Sequence, residues 1–303
     1  LNYTANRSRR GRTPKGVLRI GLAEMLTPAQ QLEDPYYLYL SSFVRQVCME
    51  KKYTLVPLER WRGGFRAPAG EEKLDGVLAI GLFSREQIAD LEGISPILVF
   101  LDSSPKESCH DSVVVNYSLG ISLALEHLQK LGHTKIGFLG PIWKLDDLHR
   151  RAQEVRRQLF CQHMEKLGLL QKQWLLDCPM EAEAAAEAMQ LFLDSQQERP
   201  TAFLTANEEA AIGAIRTLQK YGISVPEQIS VLSFNDTPRS ALVEPPLTSV
   251  STHVEDMSRT ALRLLRERVP LPNRQPERVL PLKVVVPPSL TCRCTTAPPA
   301  IFT

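Results

Sequence analysis

Residues Ser118–Gly140 read SLGISLALEHLQKLGHTKIGFLG, and they hold the architecture in miniature. Ser118 is a helix-capping residue type, and the segment after it predicts a helix to Leu131. Gly132 is the expected stop, because glycine enters the left-handed conformation at a helix end without steric penalty. Lys135–Leu139 then reads as a strand. A helix, a glycine stop, a short link and an apolar strand make one αβ unit.

The same alternation extends in both directions. Toward the N-terminus, Val17–Ala23, Tyr53–Leu58, Gly76–Leu82, Pro96–Leu101 and Ser112–Val115 read as strands. Asp34-Pro35 opens a helix with Leu40, Phe43, Val44, Val47 and Cys48 on one stripe. Ser84 and Gln87 have capping-box spacing ahead of a helix through Leu91. Trp61–Glu72 reads as a connection. Toward the C-terminus, a long helix is expected over Asp147–Leu167, closed by Gly168. Leu175–Cys178, Thr201–Thr205, Ile229–Phe234 and Arg278–Val286 read as strands; Glu181–Leu193, Glu208–Tyr221 and Val254–Arg268 read as helices. About ten strands alternating with helices predict parallel sheets covered on both faces, and two lobes rather than one.

Composition narrows the function classes. With 303 residues, 43% hydrophobic and 23% charged, the chain is of globular type. Its longest apolar run lies near Gly76–Phe83, too short for a membrane span, and no signal peptide is visible. Six scattered cysteines point to reduced thiols and a cytoplasmic protein. The net charge is +2, yet residues 1–16 carry Arg7, Arg9, Arg10, Arg12 and Lys15 with no acid, so the remainder is mildly acidic. A basic arm on a near-neutral body is a footprint for weak, sequence-independent phosphate contact with DNA.

Enzyme signatures are missing: there is no G-x-G-x-x-G after the first strand, no phosphate loop and no G-x-S-x-G elbow. No catalytic residue, cofactor or metal is expected. Asp146, Asp147 and His149 read as an exposed helix start. In parallel α/β folds ligands sit at the carboxyl ends of strands. The residues there are Glu24, Met25, Phe83, Asp102, Asn207 and Asn235. Acids and amides beside aromatic surfaces suit a polyhydroxylated ligand, whose hydroxyls both donate and accept. Asp and Asn also start loops and cap helices, which gives each position an ordinary structural alternative.

Several stretches resemble the lactose-repressor/galactose-repressor family. They are Leu131–Gly140, Pro200–Asn207 continuing through Ala214, Val225–Asp236 and Pro245–Val250, in family order. Phe100–Pro105 with Asp111–Val115 is most similar to members controlling β-galactoside operons. The resemblance implies a periplasmic-binding-protein-like α/β core of two lobes joined by crossover strands, with a sugar between them. It implies a homodimer, and operator DNA bound through a helix-turn-helix headpiece upstream of Leu1. It also implies lobes at 17–115 plus about 250–280 and at 116–249 plus about 281–295, between a 1–16 linker and a 296–303 tail. Asp102, Arg156, Asn207 and Asn235 match the family's ligand-gripping positions, with Arg157 the rival to Arg156 if the register shifts by one. Where family hinges offer an apolar wedge, this chain has Arg7-Ser8-Arg9-Arg10-Gly11-Arg12. The function implied is a sugar-responsive transcription regulator, a repressor, with galactose or a β-galactoside as effector. The alternative is a free-standing sugar-binding protein of a transport system, which would carry a secretion signal and no basic arm.

Overall fold

A computed structural model describes residues 17–71, 73–270 and 275–300. Two six-stranded sheets organise the chain. The first runs Lys283–Val286, Asp111–Val115, Leu98–Leu101, Gly76–Ile80, Arg19–Glu24, Thr54–Pro57, all parallel. The second runs Leu175–Leu176, Ile136–Leu139, Ala202–Thr205, Ser230–Asn235, Thr248–Ser251, Ser289–Thr291, parallel except for the last strand. The central strands are buried along their whole length, as parallel strands covered on both faces must be.

Each sheet carries helices on its two faces. The Pro35–Lys51 and Val254–Arg268 helices share a core with one face of the first sheet through Leu40, Val44, Leu262 and Leu265. The Arg85–Ile94 helix covers the other face through Ile88 and Leu91. On the second sheet, Tyr117–Lys130 and Val155–Lys166 cover one face, and Ala182–Asp194 with Glu208–Lys220 cover the other. Ser84 and Gln87 form the expected capping box. Gly132 and Gly168 take positive φ at the expected helix ends, +100° and +68°.

The chain passes between sheets three times, at 115–117, 251–254 and 286–289. The crossings are laced together: Asn116 N–H donates to the Val286 carbonyl, Thr252 N–H to the Asn235 carbonyl at 3.3 Å, and His253 Nε2 meets Ser289 Oγ at 3.0 Å.

Three readings need correction. The strand Lys283–Val286 pairs with Asp111–Val115 in the first sheet, so the change of lobe falls after Val286 and not near 281. The helix expected over Asp147–Leu167 starts only at Val155. Before it, Trp143–Leu145 and Arg151–Gln153 form an antiparallel hairpin whose turn is closed by Asp146, whose Oδ1 accepts from the Leu148 and Arg150 amides at 2.9 Å. The Trp61–Glu72 connection likewise contains half of a hairpin, Glu59–Trp61 with Gly64–Arg66. A smaller shift moves the helix cap from Ser118 to Asn116, whose side chain takes the Leu119 amide at 3.0 Å.

One tight helix crossing sets a testable limit. A methyl group on Gly213 would lie 2.0 Å from the Ala182 carbonyl oxygen, a backbone atom that cannot swing away. Gly213→Ala is therefore expected to destabilise the fold by about 1–3 kcal/mol or more in urea denaturation. Gly93→Ala, in a helix with nothing near the added carbon, should stabilise it by about 0.5–1 kcal/mol.

Candidate functional site

Between the lobes lies a cleft of about 390 Å³. Leu82, Asp102, Ser104, Val114 and Val115 line it from the first lobe; Tyr117 and residues 144–147 and 152–155 line it from the second. All stand at or just beyond the carboxyl ends of strands, or on the Trp143–Gln153 hairpin.

Asp102 is the centre of the first-lobe wall. It follows the Leu98–Leu101 strand at φ +73°, a conformation that costs an aspartate little compared with a branched residue. Its two carboxylate oxygens accept from the Tyr36 hydroxyl at 3.0 Å and the Tyr37 hydroxyl at 2.9 Å. Burial pushes the Asp102 carboxyl above its ordinary value, against the pull of Lys144, the two tyrosines and Arg156. Asp34, at the cap of the Pro35–Lys51 helix, is raised too, by burial first, with Lys144 opposing and Asp102 adding to it. Both tyrosine hydroxyls are held well above their ordinary range, by burial and then by the Asp102 charge.

Arg156 is the centre of the second-lobe wall, and it is 3% exposed. Its Nε donates to Glu154 Oε1 at 2.7 Å, Nη1 bonds the Ala206 carbonyl, and Nη2 lies 3.2 Å from the Met180 sulfur. The guanidinium also lies over the rings of Tyr117 and Phe234, at 5.5 and 5.9 Å. Burial works to raise the Glu154 carboxyl, but Arg156, the Arg157 amide and Lys144 hold it below its ordinary value. Arg157 points elsewhere: its guanidinium ties the carbonyls of Gly140, Leu175 and Leu176.

The remaining expected residues divide. Asn207 is a cap: its Oδ1 accepts from the Ala210 amide at 3.0 Å and its Nδ2 donates to the Met180 carbonyl at 2.9 Å. Asn235 ends its strand at φ +96°, and its side-chain amide hydrogen-bonds none of the described residues. Glu24 is engaged by Gln31 and Arg45, both at 3.0 Å. Met25 packs under Gly81, and its sulfur accepts the Leu82 amide at 3.2 Å. Phe83 is not on the cleft: it is 1% exposed and sits edge-on between Phe65 and Phe100, so the wall residue is Leu82. Arg7, Arg9, Arg10 and Arg12 lie outside the described residues.

Sequence reasoning missed Tyr36, Tyr37, Lys144 and Asp147. The hairpin that carries the last two reaches across the cleft to the first lobe. Asp147 Oδ2 accepts the Ser104 amide from the opposite lobe at 3.2 Å, and Leu148 packs against the first-lobe cluster of Phe65 and Phe83. The available signal was the turn chemistry of Asp146-Asp147 between two short alternating runs.

A family described as a periplasmic binding protein-like domain matches residues 125–296. The HTH-type transcriptional regulator GalR of Streptococcus thermophilus is 30% identical over 258 residues, covering 85% of this chain and 77% of the relative. The chain belongs to the lactose-repressor/galactose-repressor family of transcription regulators. The repressor MelR of Bacillus subtilis is 28% identical, over 95% of this chain and 83% of its own length. Among solved structures, a LacI family regulator of Arthrobacter sp. FB24 in complex with lactose superposes with a TM-score of 0.73 at 21% identity, covering 92% of this chain and 99% of that one. A regulator CelR–cellobiose complex gives 0.71 at 21% identity, covering 93% and 86%. At such identities these structural likenesses bear on the two-lobed family fold.

Two predictions follow from the walls of the cleft. Arg156→Ala leaves the Glu154 carboxylate buried without its partner, which should cost about 3–5 kcal/mol of stability in urea denaturation. Arg150→Ala, which breaks an exposed pair with Asp146, should cost under about 1 kcal/mol. Asp34 offers a pH test. Its raised folded value means that its contribution to stability is complete below its ordinary value of 3.8 and is lost as pH rises through the folded value. Asp34→Asn should therefore melt higher than wild type at pH 7, and the difference should close below 3.8.

Proposed function

We propose that this chain is the effector-binding core of a sugar-responsive transcription repressor. A sugar bound between the lobes changes the affinity of its dimer for operator DNA. The observation that carries the reading is Asp102: a carboxylate on the cleft wall, braced by two tyrosine hydroxyls, in a chain 30% identical to a regulator named GalR. Asp102 accepts sugar hydroxyls, and the free amide of Asn235 supplies donor and acceptor from the other lobe. Arg156 stands behind Tyr117 as the anchor of that wall. Glu24, Met25 and Asn207 support the strand ends.

The effector is galactose or a β-galactoside. The names of the relatives, and the lactose and cellobiose in the neighbouring complexes, support a sugar. The protein is a cytoplasmic homodimer that contacts operator DNA, the basic residues 7–12 touching phosphates, and it catalyses no reaction. No helix among the described residues is long and apolar enough to cross a membrane. All six cysteines are free thiols. The curated relatives are regulators, which weighs against a transport-system binding protein.

A thermal-shift series with galactose, lactose, melibiose and cellobiose tests this. A ligand at about 100 times its dissociation constant should add about 2.7 kcal/mol to stability. Asp102→Ala should weaken the best sugar about 10- to 150-fold, the value of a hydrogen bond to a charged group. Melting temperatures unmoved by all four sugars would overturn the reading.

A further inference from the structure

The cleft carries an unusual balance of charge. Its lining includes Asp102, Lys144, Asp146, Asp147, Glu154 and Lys283. Three of these are answered locally: Asp146 by Arg150 at 2.7 Å, Glu154 by Arg156 at 2.7 Å, and Lys283 by Glu107 at 2.5 Å. Among the described residues, Asp102 and Asp147 are bonded only to neutral donors, the tyrosine hydroxyls and the Ser104 amide. Asp34, behind this lining, interacts electrostatically with Asp102 and forms no ion pair among the described residues. Against Asp102 and Asp147 on the lining stands one ammonium, Lys144. It makes no ion pair among the described residues, and its charge bears on Asp34, Asp102 and Glu154.

Lys144 apart, the usual receivers of an anion are engaged within the protein. Sugar phosphates and sugar acids are gripped by arginine forks or by free amides at helix N-termini. Each guanidinium nitrogen of Arg156 is already engaged within the protein. The helices that start at the cleft each spend an N-terminal amide on a cap: Asn116 takes the Leu119 amide, and Glu154 takes the Arg157 amide. Pro35, first in its helix, has no N–H to offer.

We infer that the cleft selects uncharged glycosides and turns away their phosphorylated and acidic counterparts, with Lys144 as the counter-ion to Asp102 and Asp147 on its lining. The inference rests on the sugar-effector reading above. Asp34, Asp102 and Asp147 all have raised carboxyls, by burial first; the Asp102 charge adds to the rise at Asp34, and Asp102 and Asp146 add to the rise at Asp147. A phosphate dianion would add to that crowding in a partly dehydrated space, whereas a neutral hydroxyl donates to it.

Titration calorimetry on the full chain with matched probes tests this: galactose against galactose 6-phosphate, and lactose against its 6-phosphate, at low and high salt. The phosphorylated member should bind on the order of 100-fold more weakly. The gap should narrow at high salt and in Asp34→Asn, because screening and loss of a carboxylate weaken the repulsion. Equal or tighter binding of the phosphorylated sugar overturns the inference and leaves the sugar reading intact. A gap unmoved by salt and by Asp34→Asn makes the rejection steric and also overturns it. Binding of neither member of either pair overturns the assignment of galactose or a β-galactoside as effector together with the inference.

Discussion

Arg156 and Glu154 form an ion pair that neither shares with water, and the second wall of the cleft is arranged around it. Such a pair is expensive to desolvate and holds only when its remaining donors and acceptors are also satisfied. Here they are. Glu154 spends its second oxygen on the Arg157 amide and so begins the Val155–Lys166 helix. Arg156 reaches the Ala206 carbonyl beyond the end of a central strand, approaches Met180, and lies against two aromatic rings. One contact thus fixes the end of a hairpin, the start of a helix, the end of a strand and the position of Tyr117 at a crossing between lobes.

The opposite wall is built by the same logic with weaker bonds. Two adjacent tyrosines in the first turn of a helix present hydroxyls to one aspartate. Because the hydroxyls are neutral, the charge of Asp102 is oriented but not cancelled. The first wall keeps its charge for whatever enters, while the second has spent its own internally. That asymmetry lets the lobes be rigid on one side and receptive on the other.

Much of this was legible in the sequence, for identifiable reasons. Buried parallel strands are short apolar runs, and Gly132, Gly168 and Gly222 punctuate the helices between them. Asp102 was found because ligand-facing residues follow strands. The hairpin over the cleft was misread as the first turns of a helix. The reason is that Asp146 and Arg150 are four apart, a spacing that pairs charges on a helix and equally closes this turn. Phe83 and Leu82 differ by one residue in a sharp bend after a strand, where apolar pattern cannot say which side chain turns inward. Tyr36 and Tyr37 read as ordinary members of an amphipathic helix, since nothing local announces that their hydroxyls meet a residue 66 and 65 positions away. The lobe of Lys283–Val286 was out of reach for the same cause: pairing partners in a sheet are chosen in three dimensions.

The order in which the sheets are completed has a consequence for synthesis. Each sheet receives a flanking strand from the same short stretch: Lys283–Val286 covers the side of Asp111–Val115 in the first, and Ser289–Thr291 covers Thr248–Ser251 in the second. Thr295 and Ala297 then stitch to Val231 and Ser230. A nascent chain still anchored in the ribosome by this stretch carries two lobes that are folded in outline, each with an unprotected sheet margin. Both margins close only as this stretch emerges. How fast it emerges, and any chaperone bound meanwhile, therefore govern how much of this protein escapes edge-to-edge association at birth.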